Sequence, residues 1–154
     1  MQDGGLMSIT AYVQRHLADE QMTGETPIAV AEELRDYAGK SLKQAAVIRR
    51  KVKEMSKELR LTLGDIEAMS HLGNYYASKI LGATQLHLFE KSNDRKNKTS
   101  AVRHLLDAQK HWEKYAAVAG SQYRPQLLAR TRVLDWKATL DDVKKDVEIA
   151  RASE

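Results

Sequence analysis

The sequence predicts an all-α protein: an antiparallel bundle of four main helices preceded by a short amino-terminal one. Three observations carry that prediction. Two prolines and one phenylalanine among many Ala, Leu, Lys, Arg and Glu residues favour helix over sheet. Apolar residues recur at steps of three and four over long stretches. Polar breaks containing Gly, Ser, Thr, Asn or Asp separate those stretches. The 154 residues are one domain's worth, read as a single unit 1–154 that can bury a core. The chain is organised around one long helical hairpin, Asp65 to Tyr123.

A first helix is expected over residues 8–20, with Ser8 as N-cap and Ile9, Tyr12, Val13, His16 and Leu17 on one face. Thr26 caps the second helix and Pro27 takes its first position, where a missing N–H costs nothing. Ala31, Leu34, Ala38, Leu42, Ala45, Ile48, Val52, Met55 and Leu59 then form a stripe of roughly eight turns, so this helix is expected to reach about Leu59. Gly39 lies off the stripe and is a weak point. The stripe suits packing within the chain or a second copy of it.

Thr62-Leu63-Gly64-Asp65 reads as a capping box that opens the third helix, which runs to about Lys91. Its expected core stripe is Ile66, Met69, Gly73, Tyr76, Ile80 and Ala83, with Leu72 and Leu88 alongside. Gly73 and Ala77 suggest a close helix contact. Tyr75 and Tyr76 point about 100° apart, so at least one should reach solvent or a loop. Residues 91–98 form a polar, basic turn. Thr99 or Ser100 caps the fourth helix, whose buried face is Ala101, Leu105, Ala108, Trp112, Tyr115 and Ala119. That regular seam assigns Trp112 to the core. After Ala119-Gly120 the period stops. Thr139-Leu140-Asp141-Asp142 is read as a second capping box, opening a last helix with Leu140, Val143, Val147 and Ala150 inward.

The irregular stretch from Tyr123 to Trp136 mixes aromatic, Arg and amide side chains, the composition expected of a contact surface. The candidate binding residues are Tyr123, Arg124, Gln126, Arg130 and Trp136, with Asn74 and Tyr75 nearby. The alternative is a packed connector in which Leu127, Leu128, Leu134 and Trp136 close one end of the bundle.

Charge is unevenly spread beneath the net +4. Residues 1–39 carry seven acidic and two basic side chains, a local −5, and residues 40–60 carry eight basic and two acidic ones, a local +6. Lys43, Arg49, Arg50, Lys53 and Lys57 could attract nucleic acid. That reading ranks second, because the basic stripe can neutralise the acidic segment before it. No apolar run approaches the ~18–20 residues that span a bilayer. The start, Met1-Gln2-Asp3-Gly4-Gly5, lacks a signal-peptide pattern, which suits a cytoplasmic protein or a fragment of a secreted one. The absence of cysteine excludes disulfides and thiolate metal sites.

Catalytic motifs are not found: no Gly-rich phosphate loop, no Gly-x-Ser-x-Gly and no cysteine nucleophile. Asp141-Asp142 sit in a first turn, where the helix dipole explains them. Glycosidase chemistry needs two carboxylates facing across a cleft, and a compact bundle gives no evident one. His104, Asp107 and His111 share one helical face, but Glu67-Ala68-Met69-Ser70-His71 lacks the Glu-x-x-His spacing of di-iron bundles. Solvent-facing histidines and no metal or other cofactor are expected, and no catalysis by this chain alone.

Two resemblances follow from these segments. Met69-x-x-Leu72-Gly73-x-x-Tyr76 and Ala101-x-x-x-Leu105-x-x-Ala108 resemble the two halves of a tetratricopeptide hairpin. Their separation is too long by roughly sixteen residues, and no further repeat follows. More broadly, Asp65-Ile66-Glu67-Ala68-Met69, Leu72-Gly73-Asn74-Tyr75-Tyr76-Ala77, Trp112-Glu113-Lys114-Tyr115, Tyr123-Arg124-Pro125-Gln126-Leu127-Leu128, Leu134-Asp135-Trp136 and Thr26-Pro27-Ile28-Ala29-Val30-Ala31 act as a set. Together they resemble the helical carboxy-terminal region of large bacterial glycoside-hydrolase-like proteins, including α-glucuronidase-like ones. The resemblance covers most of residues 8–151. It implies an accessory helical module whose partner is a catalytic glycoside-hydrolase domain or a glycan, in a secreted or periplasmic parent acting on polysaccharide. It carries over no catalytic residue, because none of these segments is catalytic.

Overall fold

The computed structural model describes residues 5–128 and 132–154 of the chain. Among them are five helices: α1 (Ile9–Leu17), α2 (Pro27–Lys51), α3 (Lys57–Ser92), α4 (Arg95–Gln122) and α5 (Leu140–Ala152). The all-α prediction holds. Helix α3 is central. It packs against α2 and α4, α5 packs on α4, and α1 leans on α3.

Ser8 and Thr26 cap α1 and α2 as expected, accepting from Ala11 N (3.2 Å) and Ala29 N (3.1 Å). Val13 is fully buried, while His16 and Leu17 at the end of α1 are exposed. Ala31, Ala38 and Ala45 are buried along α2, and their small side chains let α3 come close.

Several boundaries differ from expectation, beginning with α1, which ends at Leu17 and not at residue 20. Helix α2 ends at Lys51, because Val52 turns to an extended conformation and Ser56 caps a new helix by accepting from Leu59 N at 3.2 Å. The apolar period runs on through Val52, Met55 and Leu59 across this corner, so periodicity alone cannot reveal it. Thr62–Asp65 is no capping box, since it lies inside α3 with Leu63 and Gly64 buried. The polar turn shrinks to Asn93-Asp94: Asn93 adopts a left-handed C-cap conformation (φ 54°), and Asp94, not Thr99 or Ser100, caps α4. Helix α4 also continues past Gly120 to Gln122.

The expected stripe of α3 is rotated relative to the observed one. Met69 and Tyr76 are 65% and 50% exposed, whereas Tyr75, Ala77, Leu81 and Leu88 are buried. Tyr76 is thus the tyrosine that reaches solvent. Helix α3 has partners on two sides, α2 and α4, so no single amphipathic stripe describes it. Gly73 lies against Ala38 of α2, as a close contact there requires. The seam of α4 is as predicted: Ala101, Leu105, Ala108, Trp112 and Ala119 are buried and Tyr115 packs against them. Gly82 lets α3 approach α4 closely. A Cβ there would stand 2.7 Å from Leu105 Cγ.

The stretch after α4 holds a small antiparallel hairpin, β1 (Gln126–Leu128) paired with β2 (Arg132–Leu134). Helix α5 then buries Val143, Val147 and Ala150. Thr139 does not cap it with its side chain. Asp135 shapes the entry instead, its Oδ1 accepting from Lys137 N (2.9 Å) and Ala138 N (3.3 Å).

Candidate functional site

Of the candidate residues, Tyr123, Arg124, Gln126 and Trp136 lie where the end of α4 and the hairpin lead into α5. Helix α4 is fastened to α3 there by Asp65, whose Oδ1 accepts from Gln122 Nε2 (2.9 Å) and from the Tyr123 hydroxyl (2.6 Å). Gly64 makes room for this link, since a Cβ at that position would lie 2.3 Å from Gln122 Oε1. The hydrogen bond to Asp65 raises the Tyr123 phenol above its ordinary pKa. The carboxylate favours the protonated phenol that donates to it.

Trp136 is buried beneath this corner. Its main-chain oxygen accepts from Trp112 Nε1 at 2.9 Å, and its own Nε1 donates to the Tyr115 hydroxyl at 3.0 Å. Both indole N–H groups are satisfied, as burial demands. Tyr75 on Trp112 (5.0 Å between ring centres) and Trp112 on Tyr115 (5.2 Å) stack edge to face. Burial raises the Tyr75 phenol, partly offset by the donating Lys79 ammonium at 3.3 Å.

Tyr123 and Trp136 do come together, with ring centres 6.4 Å apart. They help line a hollow of about 220 Å³ with Gly120, Pro125, Asp135 and Lys137. Tyr123 is its exposed wall at 46% and Trp136 its buried one. Arg124 and Gln126 are exposed beside it, with Gln126 Nε2 donating to Arg124 O at 2.8 Å. Leu127, expected to help close the bundle end, is instead 80% exposed on the hairpin. Tyr75 sits inside the aromatic core, and Asn74 is half-buried on α3 outside the lining of the hollow. Arg130 lies outside the described residues.

The contributions of Asp65, Gly120, Pro125 and Lys137 were missed by sequence reasoning. Asp65 had been assigned to a helix cap; only its pairing with Tyr123, 58 residues away, reveals its role. The carboxylates beside the hollow serve as acceptors for the protein's own donors. What the hollow offers a ligand is an exposed phenol face beside an indole.

Four of the five histidines are half-buried and only His16 is exposed; His87 holds Glu90 through its Nδ1 at 2.9 Å. His71 of α3 and His104 and His111 of α4 are half-buried, and each encloses its Nδ1 without a protein partner. His71 and His111 face each other across the seam at 6.1 Å. Burial lowers all three below the ordinary imidazole pKa, helped by Lys114 at His71 and His111 and by Arg103 and Arg35 at His104. Among the described residues no group of three His, Asp or Glu side chains is placed to hold a metal ion. In the basic stripe, Arg49 is held by Glu67 through two hydrogen bonds of 2.9 and 3.1 Å. The corner at Val52 separates Lys43 and Arg50 from Lys57, so they share no single helix face. No described helix is long and apolar enough to cross a membrane.

The fold is that of a helical unit found within a carbohydrate-active enzyme. A solved GH138 enzyme targeting pectin rhamnogalacturonan II contains a region similar to this chain, with a TM-score of 0.74 over 94% of the chain and 16% sequence identity. At that identity the likeness is one of fold, and the chain spans 23% of the enzyme's length. No protein-family model and no curated protein matches the sequence.

Proposed function

We propose that this chain is a non-catalytic helical accessory module associated with a carbohydrate-active enzyme, of the kind carried at the carboxy-terminal side of α-glucuronidase-like proteins. The observation that supports this reading is the fold likeness, which spans nearly the whole chain yet under a quarter of a glycoside hydrolase. Its working surface is the corner built from Tyr123, Arg124 and Gln126 around the Trp136 hollow, and its partner is a catalytic domain or a glycan. Tyr123 is the residue best suited to the contact, because it is exposed yet held in place by Asp65. Trp136 acts from beneath.

The test is affinity electrophoresis of the purified chain through gels containing pectic polysaccharide or xylan, together with a reducing-sugar assay on the same substrates. The reading predicts no sugar release, and any retardation should be lost in Tyr123→Ala while the circular dichroism spectrum stays helical. Sugar release abolished by substituting one of the chain's carboxylates would overturn the non-catalytic assignment.

A further inference from the structure

An apolar face of α2 and α3 remains uncovered. Tyr37 is 58% exposed on α2, and Met69 and Tyr76 are 65% and 50% exposed on α3. Between the two helices runs an open groove of about 390 Å³, lined by Leu34, Tyr37 and Ser41 on one side and Ile66, Met69 and Gly73 on the other. Ile66, Met69, Gly73, Tyr76 and Ile80 recur at helical spacing, a pattern that normally marks a face covered by a partner. Gly73 and Ala38 hold the two helices close at this level.

Two exposed charges flank the face at opposite ends of α2, Glu33 near its amino-terminal end, where it accepts from the Tyr37 hydroxyl at 3.0 Å, and Lys51 at its carboxy-terminal end. Glu33 and Lys51 are separated by roughly five full turns of an α-helix, so they project from the same side at opposite ends. A two-fold axis at the level of Leu42 would run two α2 helices antiparallel. It would set Glu33 of each copy opposite Lys51 of the other, with Tyr37 and Met69 between these end pairs. The length of α2 and the width of two packed helices give a face on the order of 700 Å² per copy. A standard stable interface buries about 800 Å² per partner.

We propose that the α2–α3 face is an isologous dimer interface that takes a second copy of this chain, its register fixed by the Glu33–Lys51 pairs. The inference is independent of the carbohydrate-associated role. Sedimentation equilibrium on the full chain, from low micromolar to several hundred micromolar, tests it. The expected result is a concentration-dependent dimer that weakens with added salt. Met69→Lys, at an exposed position, should leave the monomer folded and reduce association by at least roughly tenfold. Glu33→Lys should weaken association similarly, and the double variant Glu33→Lys/Lys51→Glu should restore it. A monomer at every concentration would overturn the proposal and leave the face to a different protein or domain. So would a dimer indifferent to Met69→Lys, which would use another surface, or a double variant without rescue.

Discussion

Glycine positions separate what sequence and structure each say about single residues. Gly39, Gly64 and Gly82 all lie in helix interiors, where glycine costs about 1 kcal/mol relative to alanine. An added Cβ at Gly39 meets nothing within 4 Å, so Gly39→Ala should stabilise the fold by about 0.5–1 kcal/mol. At Gly82 the same methyl would run into buried Leu105, at 2.7 Å from Cγ and 2.8 Å from Cδ2. Gly82→Ala should therefore destabilise by about 1–3 kcal/mol, because overpacking outweighs the propensity gain. Urea midpoints of the two variants, moving in opposite directions, check both. The sequence marks Gly39 as a weak point and places Gly64 in a break between helices, and it cannot rank the three glycines. The ranking depends on Leu105 and Gln122, residues of another helix. Trp112 was legible as core because its own helix carries a clean seam, while burial of Trp136 depends on Tyr115 and Trp112, 21 and 24 positions away.

At the scale of elements, the corner between α2 and α3 is the boundary that periodicity hides. Ser56→Ala removes the hydroxyl that accepts from Leu59 N, and should cost about 1 kcal/mol in a urea melt. If the second helix instead ran unbroken to Leu59, alanine would be the better helix former there and the variant would gain stability. The sign alone decides. The α3–α4 seam makes a second prediction through His71, His104 and His111. Their folded pKa values are lowered by burial, so the native state holds them neutral while the unfolded chain takes up protons near the ordinary value of about 6.5. Their contribution is fully present above that pH and is lost as pH falls below it toward the folded values. Melting temperatures at constant ionic strength should fall between neutral pH and about pH 5.5, and His71→Gln/His111→Gln should flatten that slope. The same slope in the double variant would contradict the assignment. These histidines were read as solvent-facing because α4 alone places His104 and His111 away from its seam. His71 and His111 meet across the α3–α4 seam, a pairing that neither helix shows alone.

For the whole molecule, the helical class and the first two caps were legible because they are local: Ser8, Thr26 and the seam of α4 each need only their neighbours in sequence. The orientation of α3 was not, since a helix with partners on two sides shows no single stripe. The candidate corner was legible as a composition and not as a geometry. The mixture from Tyr123 to Trp136 is visible in the sequence, and only the fold shows Tyr123 displayed with Trp136 beneath it. Trp136→Ala is for that reason a probe of stability, with a cost of about 3–5 kcal/mol for a buried indole, and Tyr123→Ala is the probe of contact.

The central claim is that this helical unit works alongside a polysaccharide-degrading enzyme. The most direct measurement is the coding sequence on both sides of this chain in its source DNA. The account predicts an open frame continuing into a catalytic barrel domain, or an adjoining gene for such an enzyme. Stop codons on both sides, with no polysaccharide-degrading gene adjoining, would contradict it.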